Sequence, residues 1–97
     1  MYIVEVPQPL FELGDVVATP GVLDALAAAG VMHTALIARH LAGDWGDLDA
    51  EDKEANQSAL VTGARILSAY TLFTKQRIWI ITEADRSVTT LLLPSEY

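Results

Sequence analysis

An α+β fold is predicted from three observations. Apolar residues recur at helical spacing up to Gly63, the period changes after Gly63, and alternating β-branched runs joined by compact polar turns fill the rest. The expected order is one or two short N-terminal strands, then three helices over 20–29, 31–42 and 49–62. A three-stranded antiparallel meander over 64–73, 78–83 and 88–93 follows, with the helices packed on one of its faces.

Residues 1–6 alternate and are β-branched enough for a short strand, which Pro7 and Pro9 break. Residues 10–18 hold a second short extended piece. Thr19-Pro20-Gly21 starts the first helix: Thr19 caps it, and Pro20 fits the first helical position, where its missing N–H would be unpaired anyway. Gly30 ends it. In the second helix Val31, Ala35, Ala38 and Leu41 recur at helical spacing, with Met32 and Leu36 beside them, up to Gly43. Gly43-Asp44-Trp45-Gly46-Asp47 is a loop. Asp49 with Asp52 three residues on caps the third helix, and Gly63 closes it.

Thr74-Lys75-Gln76-Arg77 and Ala84-Asp85-Arg86-Ser87 are the turns of the meander, and Pro94 ends its last strand. Both faces carry large apolar groups: Trp79 and Ile81 point one way, Ile78 and Ile80 the other. One face packs the helices. The other is left for the N-terminal segment, a second subunit or a ligand.

Ninety-seven residues suit a single globular domain, 1–97, and 52% apolar content supplies one modest core. There are no cysteines, which removes thiol chemistry, Cys-type zinc sites and disulfides, and suits a reducing cytoplasm. The N-terminus has no basic region before an apolar run, so no signal peptide is expected. The longest helical apolar stretch, near 31–38, is too short to span a bilayer. A net charge of −7 opposes nucleic-acid binding through a general basic surface and leaves room for an acidic surface that binds a protein.

No phosphate loop, dinucleotide fingerprint or His-Glu-x-x-His motif is present, so no cofactor is expected. No metal site is expected either. Counted from Asp47, the sixth and twelfth positions of a calcium loop fall on Asp52 and Ser58 instead of glycine and glutamate. His33 and His40, two helical turns apart, are separated by roughly 10.5 Å and cannot clasp one ion.

The residues with chemistry to offer fall into two sets. Asp44, Trp45, Asp47, Asp49, Glu51 and Asp52 form an acidic stretch suited to a basic partner surface. Within it Trp45 is either a lid over the core or a contact aromatic. His40, at a helix C-terminus, forms the second set with Arg65, Tyr70 and Thr90. Alternation puts Ser68 and Tyr70 on one strand face and Arg65 on the other, and places one of Thr89 and Thr90 beside Tyr70.

Three stretches carry a resemblance. Arg39-His40-Leu41-Ala42-Gly43-Asp44-Trp45-Gly46, Arg65-Ile66-Leu67-Ser68-Ala69-Tyr70, and the run from Trp79 to Tyr97 (WIITEADRSVTTLLLPSEY) resemble a family of small proteins encoded on bacterial plasmids and integrative conjugative elements. The resemblance implies an accessory role in mobile-element biology and brings no reaction with it. A looser likeness of layout, helices with a histidine followed by a meander carrying Arg, Ser/Tyr and Thr, is similar to the barnase–colicin type of ribonuclease. It implies His40 as general acid or base, Arg65 on a phosphate, and Tyr70 or Thr90 assisting.

Three expectations follow: a non-enzymatic accessory protein that binds another protein through its acidic face, counter-defence being one such role; a small nuclease or nucleotide-acting enzyme; and a homodimer joined through the second sheet face.

Overall fold

The computed structural model describes residues 1–4 and 8–97. It is an α+β fold with three helices on one face of a four-stranded sheet. The order is β1 (Asp15–Ala18), α1 (Pro20–Ala29), α2 (His33–Leu41), α3 (Ala50–Thr62), β2 (Ile66–Thr71), β3 (Arg77–Thr82), β4 (Val88–Leu92) and a closing 3-10 turn, Pro94–Glu96.

The helix starts follow their caps. Thr19 accepts from the Val22 N–H at 3.2 Å, and Asp49 accepts from the Asp52 N–H at 2.8 Å. The second helix is shorter than the expected 31–42. The Val31 N–H closes α1 on the Leu26 carbonyl, and Met32 is extended, so α2 begins only at His33.

The sheet order is β1-β4-β3-β2. β2, β3 and β4 pair as antiparallel neighbours, with Ser68 opposite Ile80 and Thr82 opposite Thr89. The sheet is nevertheless four-stranded and mixed, not a three-stranded antiparallel meander alone, because β1 lies parallel to β4 with Val17 opposite Thr90. Gly14 allows this approach. It sits at φ 63, and a Cβ there would run into the Ser87 carbonyl. The expected strand over 1–6 is not seen over residues 1–4, which are exposed coil; residues 5 and 6 lie outside the described residues.

β2 is an edge strand whose outward backbone groups are engaged at Leu67, at Ala69 and at the Thr71 N–H. The Asn56 amide of α3 donates to the Leu67 carbonyl at 2.7 Å and accepts from the Leu67 N–H at 3.1 Å. The Ala69 N–H reaches the Trp45 carbonyl at 3.0 Å, and its carbonyl accepts from the Asp47 N–H at 2.6 Å. The Thr71 N–H reaches the Asp47 carboxylate at 3.0 Å. The loop 45–47 and one helical asparagine thus stand where another strand would pair.

Ile78, Ile80, Leu91 and Tyr70 meet Val22, Leu26 and Leu36 of α1 and α2 in the main core, and Trp45, Ala59 and Ile66 form a second cluster with Phe11. Each fully buried Ile contributes about 1.5–3 kcal/mol. Among the described residues no helix is long and apolar enough to cross a membrane, and the apolar pair α1–α2 bends by 104° at its break.

Candidate functional site

His40 sits in the last turn of α2 and is 0% exposed. Its Nδ1 lies 2.5 Å from Ser68 Oγ on β2, and its Nε2 lies 2.9 Å from Thr82 Oγ1 on β3. Thr82 Oγ1 is 2.7 Å from Thr89 Oγ1 on β4, which donates to the Leu13 carbonyl at 2.8 Å. Ser68, Thr82 and Thr89 are also 0% exposed. The rings of Phe11 and Trp45 close the imidazole in, with centroids 5.1 and 6.0 Å away.

The carbonyl at the end of this chain fixes the direction of every proton in it. Leu13 can only accept, so Thr89 donates to it and accepts from Thr82. Thr82 therefore accepts from His40 Nε2–H, and Nδ1 accepts from the Ser68 hydroxyl. The chain is complete with a neutral imidazole. Burial pushes the His40 pKa down to about 4, so the ring is uncharged at neutral pH.

The four residues considered for nucleic-acid chemistry do not meet. His40, reaching from α2, and Tyr70 lie on the helix-covered side of the sheet. The buried Tyr70 hydroxyl donates to the Asp44 carbonyl at 2.7 Å, and burial pushes its pKa up to about 12. Thr90 points to the opposite face, in the row with Val17, Ile81 and Leu67. Arg65 is exposed and donates to the Tyr97 hydroxyl at 2.6 Å, and the Tyr97 ring stands edge-on to Trp79 on that outer face. The hydroxyls that join His40 are Ser68, Thr82 and Thr89.

The acidic stretch divides by task. Asp44 pairs with Arg39 at 2.6 Å, and the bond to this guanidinium holds its carboxyl below the usual carboxylate range. Asp47 secures the β2 edge and Asp49 caps α3. Glu51, Asp52 and Glu54 project from the first turns of α3 into solvent. Trp45, expected either as a lid or as a contact aromatic, is 4% exposed and belongs to the core.

Three further side chains matter that composition and motif reading did not single out for these positions. Thr82 and Asn56 complete buried polar connections. Arg86, read as a turn residue, donates to the carbonyls of Ala59, Ala64 and Glu83, tying off the C-terminal end of α3. Asp85 serves the same turn by accepting from the Ser87 N–H and hydroxyl. Strand alternation carried a usable signal for Thr82: it shares a face with Ile78 and Ile80, so its hydroxyl needs an interior partner.

Among the described residues no group of three or more histidine and acidic side chains is placed to hold a metal ion. No protein-family model, curated protein or solved structure matches the chain.

Proposed function

We propose that this chain is a non-enzymatic accessory protein of a bacterial mobile genetic element. It acts in the cytoplasm by binding another protein through its acidic surface, with a host defence component as a fitting target. The observation that carries this reading is the placement of α3. Of its thirteen residues only Asn56 and Ala59 are buried, and its first turns hold Glu51, Asp52 and Glu54 in solvent. Lys53 is the one cation among them. Such a face meets a basic surface, speeds encounter with it and weakens with salt. The ribonuclease reading has less support, because a general acid–base must reach substrate and both His40 nitrogens are engaged inside the fold.

The test is capture from bacterial host lysate at low and high salt, with wild type beside a Glu51→Lys, Asp52→Lys, Glu54→Lys variant. A partner retained by wild type, released by salt and lost with the variant is expected. Equal retention by both proteins, or no salt-sensitive partner at all, overturns the reading.

A second reading, a homodimer, is favoured by the outer face of the sheet. Val17 is exposed there and Leu67 and Trp79 are half-buried, with the Tyr97 ring edge-on to Trp79, while Ile81 and Leu92 on the same face are already buried within the chain. Light scattering at high protein concentration separates the two: a monomer removes the homodimer.

A further inference from the structure

We propose that the cavity between the β2–β3 turn and the Pro94–Glu96 turn binds a small phosphate-bearing ligand, a phosphomonoester of mononucleotide size or smaller. The cavity is shallow and open to solvent, with a volume of about 430 Å³. Lys75 and Arg77 supply two cations at its wall, Thr74 and Ser95 two hydroxyls, and Leu93 and Pro94 an apolar side.

The charge distribution singles this place out. The chain has six Lys and Arg residues against thirteen Asp and Glu. Arg39 is paired with Asp44, Arg65 is bonded to Tyr97, Arg86 holds the end of α3, and Lys53 lies among the acids of α3. Lys75 and Arg77 are the two that converge on a cavity, and neither forms an ion pair among the described residues. Arg77 gives one N–H to the Asp47 carbonyl at 3.0 Å, which fixes the stem of the guanidinium and leaves its other donors.

Backbone conformation gives an independent reason. The turn closes with the Lys75 N–H on the Leu72 carbonyl and the Leu72 N–H on the Gln76 carbonyl, and Lys75 sits at φ 75, where glycine is the favoured residue. The only other non-glycine residue at positive φ among the described residues is Arg86, at φ 60. Arg86 makes three carbonyl contacts from that conformation. The left-handed backbone of Lys75 closes the turn, a task glycine would perform with less strain, and its side chain makes no hydrogen bond or ion pair among the described residues. It does hold an ammonium at the cavity. A phosphate, with several acceptor oxygens in a tetrahedral array, uses an ammonium, a guanidinium and hydroxyls arriving from two turns; a planar carboxylate is satisfied by the guanidinium alone.

The site uses neither Glu51, Asp52 nor Glu54, so it stands or falls separately from the α3 surface. The experiment is an amide NMR titration of the whole chain with AMP, ribose 5-phosphate, inorganic phosphate and, as the carboxylate arm, succinate. Saturable shifts confined to residues 74–77 and 95 are expected with the phosphate compounds. Lys75→Gly suits the backbone, and Lys75→Gln keeps side-chain length; each should keep a thermal midpoint no lower than that of wild type and weaken binding roughly tenfold or more. No saturable shift with any phosphate compound at about 10 mM, well above a millimolar Kd, overturns the proposal. An equal response to succinate, or variants that bind as wild type does, overturns it as well.

Discussion

His40 on α2 and Thr82 on β3 are joined by a 2.9 Å hydrogen bond that neither solvent nor ligand reaches, both residues being fully buried. This contact docks the end of α2 onto the middle of the sheet. It also converts a helix-terminal histidine, a residue type often associated with chemistry, into part of the packing. The chain from Ser68 to the Leu13 carbonyl is satisfied at every step, and fully satisfied buried networks specify one arrangement of the elements around them.

Acid should therefore weaken the fold through His40. Its folded pKa, about 4, lies below the ordinary 6.5, so the unfolded chain takes up a proton first as pH falls. Stability from this source is whole above about pH 6.5 and declines steadily towards pH 4. The complete effect is about 3 kcal/mol, at about 1.4 kcal/mol per pH unit of separation. Asp44, Asp85 and Glu96, whose carboxyl pKa values are held low by hydrogen bonds, lose their contributions only at lower pH. Denaturant unfolding at pH 7 and pH 5 measures the histidine effect nearly alone. A stability unchanged between those pH values would count against it.

Thr82→Val keeps the shape and removes the middle of the chain. It leaves His40 Nε2–H without an acceptor and removes the donor to Thr89. A loss of about 1–3 kcal/mol is expected, the usual result of stranding a buried polar group. Urea unfolding of the variant gives the number, and a loss below about 0.5 kcal/mol, the range of ordinary surface substitutions, would mean that water or a rotated hydroxyl replaces the bond.

Two residues share a positive φ and should respond in opposite ways to glycine. Arg86→Gly relieves the backbone but releases the Ala59 and Ala64 carbonyls at the end of α3 and one of the two bonds to the Glu83 carbonyl, so it should destabilise by about 1–3 kcal/mol. Lys75→Gly relieves the backbone and loses no contact within the chain, so its stability should stay level or rise by up to about 1 kcal/mol. Thermal midpoints of the two variants, measured side by side, check the contrast.

Gly46→Ala and Gly63→Ala should differ as well. Both glycines have positive φ, but a Cβ at Gly46 would collide with the Ala69 carbonyl and stand 2.6 Å from the Tyr70 ring, whereas Gly63 has open space. Gly63→Ala should cost about 1 kcal/mol from conformation alone. Gly46→Ala forces the loop off the β2 edge and should cost at least twice that, with loss of protection at the Ala69 amide in hydrogen exchange.

Local signals in the sequence were readable where one residue decides the outcome. Thr19, Asp49 and Gly63 mark their helix ends because a cap needs only its own side chain or backbone. Alternation placed Arg65 on the opposite face from Ser68 and Tyr70, and Trp79 opposite Ile78. The parallel seat of β1 on β4 was not readable. It joins residues more than seventy apart and depends on Gly14 passing the Ser87 carbonyl, which no local pattern announces. The polar chain was half readable. Ser68 was in view, but Thr89 and Thr90 are separated by a single register step, and only the strand pairing shows that Thr89 faces His40 and Thr90 faces away.

Whether His40 is sealed decides between a reaction centre inside the fold and a function on its surface. NMR titration of its imidazole answers this directly. A ring that stays neutral to about pH 4, as the Nε2–H tautomer, is the expected result. A His40 that titrates near its ordinary 6.5, or whose shifts respond to added RNA or nucleotide, would contradict the closed chain and return catalysis to this histidine.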